Sequence, residues 1–142
     1  MKADTKTEKE IKAILQEFAD SYARRNLDGI MAYLSPDPDM MMYGTAADEK
    51  RLGREGFKAQ AERDWSQADT TSISYGWTQV SAAGPVAWVS SDVTFRVTFG
   101  GQEMAFPVRL TGVFENRNGQ WLVSQLHFSA PASQPEGSSF PT

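Results

Sequence analysis

Few side chains in this sequence are suited to chemistry. His127 is the sole histidine, and cysteine is absent from all 142 residues. An imidazole at its ordinary pKa of about 6.5 is a ready general base. His127, however, alternates with Trp121 and Gln125 along one stretch, and a polar group satisfied within an interface is the stronger reading. Without cysteine there are no disulfides, thiolate nucleophiles or thiolate metal sites. One histidine leaves only carboxylates to hold a metal. Asp37, Asp39, Asp48 and Glu49 match no EF-hand spacing and read as solvated loop charges, so neither metal nor cofactor is expected. No G-x-S-x-G turn supports a serine triad, and Gly44 and Gly53 bracket no phosphate-binding pattern. Tyr22, Tyr43 and Trp65 remain. Each joins an apolar body to a polar handle, which suits orienting a ligand in an apolar pocket, although ordinary core packing explains them as well. Ser91 and Ser124, small and polar at inward positions, mark open space for a ligand.

Composition narrows the partners. A net charge of −4 gives no basic footprint, which argues against nucleic acid or an anionic membrane surface. The N-terminal MKADTKTEKEIKAIL lacks the apolar core of a signal peptide, and no apolar run approaches membrane-spanning length. A cytoplasmic protein is expected. At 40% hydrophobic residues the chain can bury one sizeable core.

Positioning these groups falls to a helical half and a strand half. Thr7-Glu8-Lys9-Glu10 fits a capping box. Ile11, Ile14, Leu15, Phe18, Ala19 and Tyr22 then recur at helical spacing, predicting a first helix that ends at Arg24-Arg25-Asn26. Asp28 is placed to cap a short second helix carrying Ile30, Met31, Tyr33 and Leu34, stopped by Ser35-Pro36. Met40 to Tyr43 is an apolar run between turn residues and predicts a buried strand. Gly44 to Gly53 reads as a charged connection. From Arg54 to about Ala68 a third helix sets Phe57, Ala61 and Trp65 on one stripe.

Alternation governs the remainder. Ile73, Tyr75 and Trp77 predict one strand, and Val86 to Phe99 another. A two-residue Gly100-Gly101 loop sets Val93 opposite Val108, Phe95 opposite Phe106 and Asp92 opposite Arg109, which predicts an Asp92–Arg109 ion pair. From Leu110 to Pro131 two alternating segments meet at Arg117-Asn118-Gly119. A three-residue turn there brings Leu110, Phe114, Leu122, Ser124, Leu126 and Phe128 to one face. With Phe18 and Tyr22 from the first helix, the residues Val93, Phe95, Leu110, Phe114, Leu126 and Phe128 form an apolar wall, and Tyr43, Trp65, Ser91 and Ser124 supply its polar groups. The opposite face carries Trp88, Asp92, Arg109, Val113, Trp121, Gln125 and His127, the composition of a homodimer interface.

Three stretches, SPDPDMMMYGTAADEKRLGREGFKAQAERDWSQAD, GPVAWVSSDVTF and RLTGVFENRNGQWLVSQLHFSAP, carry a family resemblance. The chain resembles the SnoaL-like branch of the nuclear-transport-factor-two-like superfamily from about Ile11 to Pro131, most specifically at Gly119-x-Trp121 and His127-Phe128-Ser129-x-Pro131. The resemblance implies an α+β, cystatin-like fold: a cone-shaped, curved antiparallel sheet with three N-terminal helices on its concave face. It implies one domain over residues 1–131, a loose tail over 132–142, a pocket in the cone and dimerisation through the outer sheet face. Ketosteroid isomerases in this superfamily work through carboxylates inside the cone. None of the inward strand positions here is a carboxylate, so steroid isomerisation does not carry over. The pocket arginines of the kinase association domains correspond to Val93, Gly112 and Phe128. Two functions follow as expectations: binding of a small apolar, polyketide- or steroid-like molecule with one or two polar groups, or a dimerising scaffold with a filled cone.

Overall fold

The computed structural model describes residues 1–140. Three helices come first: α1 (Thr5–Ala23), α2 (Leu27–Met31) and, after two short strands, α3 (Gly53–Ser66). The strands are β1 (Met41–Tyr43), β2 (Lys50–Leu52), β3 (Thr70–Ala83), β4 (Val86–Phe99), β5 (Gln102–Arg117) and β6 (Gln120–Ser129). They form one open sheet in the order β2-β1-β6-β5-β4-β3, antiparallel except where β1 runs parallel to β6. The α+β architecture agrees with the expected one. Residues 130–140 carry no helix or strand, and the last two positions of the expected tail lie outside the described residues.

Local signals were displaced by a few residues. The first helix is capped by Asp4, whose Oδ1 accepts the Thr7 amide at 2.7 Å, and not by Thr7. Asn26 rather than Asp28 caps the second helix, accepting from the Gly29 amide. In both cases an Asx residue stands three positions before the amide it binds, and the helices start three and two residues earlier than expected. Within the stretch read as a charged connection, Lys50–Leu52 pairs with β1 as β2.

The β4–β5 hairpin has the register expected of a two-residue loop, with Val93 opposite Val108, Phe95 opposite Phe106 and Asp92 opposite Arg109. Both loop glycines have positive φ, 53° and 84°, the backbone a tight turn between twisted strands requires.

The β5–β6 hairpin departs from expectation. Arg117 pairs with Gln120, so the loop is the two residues Asn118-Gly119, both at positive φ. Phe114 then pairs with Val123 and Val113 with Gln125, which leaves Ser124 as an extra residue in a β-bulge. This bulge, and not the turn, restores the parity that brings Phe114, Leu126 and Phe128 to one face. Between bulge and turn the faces are therefore inverted relative to the sequence reading. Trp121 and Val123 are buried, and Leu122 is only half-buried.

The concave face is held to α1 by two specific bonds as well as by packing. Tyr75 Oη donates to the Leu15 carbonyl at 2.9 Å and Trp121 Nε1 donates to Glu10 Oε2 at 2.8 Å. The core includes Ile11, Ile14, Leu15, Phe18, Phe57, Leu110, Phe114 and Leu126.

Candidate functional site

Between the helices and the wide end of the sheet lies a cavity of about 270 Å³. Phe95, Val97, Phe99, Phe106, Val108 and Phe128 line it from the sheet, Phe18 and Tyr22 from α1, and Phe57, Gln60, Ala61 and Asp64 from α3. Thr71, Ile73, Met42 and Glu49 complete much of the wall.

The wall has a single polar sector. Helical spacing creates it: Gln60, Ala61 and Asp64 lie three, four and seven residues after Phe57, on the face that α3 turns inward. Tyr22 closes α1 directly opposite. Its hydroxyl donates to Asp64 Oδ2 at 2.7 Å, and Gln60 Nε2 donates to Asp64 Oδ1 at 2.7 Å and to Glu49 Oε2 at 2.7 Å. Glu49 also accepts from Arg63 at 3.1 Å, while Arg63 grips Asp48 through two bonds. The Gln60 carbonyl oxygen accepts from Arg51 Nε at 2.9 Å.

Burial dominates the electrostatics. Desolvation pushes the Asp64 carboxyl above its ordinary range, and the bonds from Tyr22 and Gln60 only partly offset that. Desolvation, then the adjacent Asp64 charge, raises the Tyr22 phenol, which stays neutral and acts as a donor. Thr71 adds an anomaly. Its hydroxyl is buried and hydrogen-bonded to no described group, although it is near enough to Tyr22 to act against that rise. Together these groups form a carboxylate able to take or hold a proton, set in a mostly aromatic chamber.

The expected ligand residues divide into three groups. Phe18, Tyr22, Phe95 and Phe128 line the cavity. Leu110, Phe114 and Leu126 point inward but pack at the narrow end, around a gap of only about 10 Å³. Val93 is buried core. The five residues assigned a polar role fare differently. Tyr22 keeps it. Trp65 is buried, but its Nε1 donates to the Tyr22 carbonyl at 3.1 Å, so its polar handle joins α3 to α1 instead of meeting a ligand. Ser91 is satisfied by Thr78 at 2.8 Å beneath β3, and Ser124 is the bulge residue. Tyr43 is a correction. It is 41% exposed and packs its ring on His127 at 5.3 Å, because β1 alternates and Met42 is its inward residue.

On the outer face, Trp88, Asp92, Arg109, Gln125 and His127 are exposed and Val113 is half-buried. Trp121 is the exception, turned inward to Glu10 by the inverted register. Asp92 and Arg109 are cross-strand neighbours but form no ion pair. Arg109 Nε reaches the Ser129 hydroxyl at 3.2 Å instead. Among the described residues no cluster of three or more His, Cys, Asp or Glu side chains is placed to hold a metal ion.

A curved open sheet with helices over its concave face and a lined cavity at the wide end defines the nuclear-transport-factor-two-like class. Within it the chain belongs to the SnoaL-like family, whose domain model matches residues 11–133. Among solved structures, a nuclear-transport-factor-two-like protein of unknown function from Pseudomonas putida is 22% identical, with 96% of this chain and 95% of that one covered and a TM-score of 0.79. A Xanthomonas campestris protein, provisionally described as a calcium/calmodulin dependent protein kinase II association domain, is 23% identical over 88% of each chain, with a TM-score of 0.76. A Streptomyces avermitilis protein, provisionally described as a dehydratase of the same superfamily, is 14% identical over 92% of this chain and 100% of that one, with a TM-score of 0.83. A comparison with curated proteins found no match. These likenesses establish the fold, and the fold hosts unrelated functions.

Proposed function

We propose that this protein binds a small, largely apolar molecule in the cavity and orients it by the Tyr22–Asp64 pair. The observation that carries this reading is the 2.7 Å bond between the two side chains at the wall of a cavity of about 270 Å³. An apolar chamber with a few convergent polar groups is the usual form of a small-molecule site. Phe95, Phe106 and Phe128 line the space rather than filling it, which favours this reading over a scaffold with a filled cone. If the ligand is converted, Asp64 is the group placed to accept its proton, and Tyr22 keeps that carboxylate in position. Thermal-shift screening tests the proposal. Compact aromatic molecules bearing one polar group should raise the melting temperature, and sugar phosphates and nucleotides should not. The reverse pattern would refute it.

We also propose that two copies pair through the outer sheet face. Trp88, Tyr43 and Leu52 are all more than a third exposed, and apolar surface concentrated on one face commonly marks an interface. Light scattering at micromolar concentration should give twice the 15.7 kDa chain mass; a monomer defeats the proposal.

A further inference from the structure

We infer that the polar group of the ligand is a protonated amine carried on a hydrophobic frame. This rests on the cavity-binding reading above and deepens it.

The donors that face Asp64 are already engaged, and among the described residues the Thr71 hydroxyl is the one buried group of the wall left without a partner. Tyr22 gives its hydroxyl proton to Asp64, and Gln60 divides its amide protons between Asp64 and Glu49. What these groups still offer a ligand is acceptor capacity: the remaining lone pairs of Asp64 and of the Tyr22 oxygen. Charge leads to the same conclusion. No lysine, arginine or histidine lines the cavity among the described residues. The two arginines behind the wall bond away from it or to its outer side: Arg63 pairs with Asp48 and Glu49, and Arg51 donates to the Gln60 side-chain oxygen. Asp64 is the one carboxylate of the group whose hydrogen-bond partners, Tyr22 and Gln60, are both neutral. A half-buried carboxylate with only neutral partners gains most from a cation brought to it.

The rest of the chamber suits the same guest. Phe18, Phe57, Phe95, Phe128 and Tyr22 converge on it, and aromatic faces attract a desolvated ammonium group. A carboxylate ligand would meet Asp64 and Glu49 with no cation in the cavity lining among the described residues. A neutral alcohol would leave the Asp64 charge uncompensated in a chamber it had just dried.

Calorimetric titration with naphthylmethylamine, naphthylmethanol and naphthoate at neutral pH separates these cases. The amine should bind roughly tenfold more tightly than the alcohol, and naphthoate weakest of the three. Asp64→Asn should abolish the advantage of the amine over the alcohol, and an unchanged circular-dichroism spectrum with cooperative melting shows that the variant is folded. Alcohol binding equal to or tighter than amine binding in the wild type overturns the amine assignment and leaves the cavity reading standing. An amine preference that survives in Asp64→Asn likewise overturns it. If none of the three binds, the cavity reading fails and this inference fails with it.

Discussion

The two ends of the concave face are made of the same kind of residue and behave differently. At the narrow end Phe114 has no exposed surface, and about 10 Å³ remains among Leu110, Val123, Leu126 and their neighbours. Further back along the same strand, on the same face, Phe106 is 41% exposed and looks into about 270 Å³. The covering elements make the difference. Ile14, Leu15 and Phe18 of α1 fill the narrow end, whereas α3 brings Gln60 and Asp64 to the wide end. Inward parity therefore identifies a face, and the side chains presented across it decide whether that face becomes core or cavity.

The largest test of this contrast compares two truncations. Phe114→Ala should cost about 3–5 kcal/mol in urea unfolding, through lost burial and a cavity that cannot collapse. Phe106→Ala should cost less than about 1 kcal/mol. Equal costs would show that the wide end is packed after all. Next in size is Thr71→Val, which removes a buried hydroxyl without a partner and keeps its shape. It should stabilise the unliganded protein by about 1 kcal/mol, and a loss would mean that the hydroxyl is satisfied.

Titration sharpens the contrast further. Burial holds the Asp64 carboxyl above its ordinary pKa, so the folded chain keeps a proton that the unfolded chain releases. Its contribution is greatest below the unfolded carboxyl pKa and is lost as pH rises through the raised folded value. The stability of wild type relative to Asp64→Asn should accordingly fall as pH rises across that window. Asp37 runs the other way. Arg117 holds its carboxyl low, so its contribution is present at neutral pH and lost on acidification through its lowered folded pKa. A relative stability that grows with pH in the Asp64 comparison would reverse the assigned direction.

The smallest effect belongs outside the cone. A double-mutant cycle on Asp92 and Arg109 should return a coupling below about 0.3 kcal/mol, since both are exposed and Arg109 bonds elsewhere. A larger value would mean that the pair forms in solution.

Much of the fold was legible because alternation and helical spacing are strong signals. The β4–β5 register followed from Gly100-Gly101 alone. Trp121 was misplaced because a bulge at Ser124 and a longer turn account equally well for the parity of Leu126 and Phe128, and sequence does not distinguish them. The site was half legible. Tyr22 was found through its stripe, but Gln60 and Asp64 flank the apolar stripe of α3, where a polar residue ordinarily meets solvent. Only the spacing from Phe57 pointed to them. Tyr43 was assigned inward because a run of four apolar residues hides its own alternation.

The bulge at Ser124 also makes β6 tolerant of length at one point. Omitting Leu122, Leu126 or His127 would turn part of the strand inside out, whereas omitting Ser124 leaves Val123 opposite Phe114 and Gln125 opposite Val113, every neighbour on its present face. Such a deletion would replace no side chain and would remove only a bend. The guest chamber could then be reshaped by strand curvature alone, with its chemical lining unchanged.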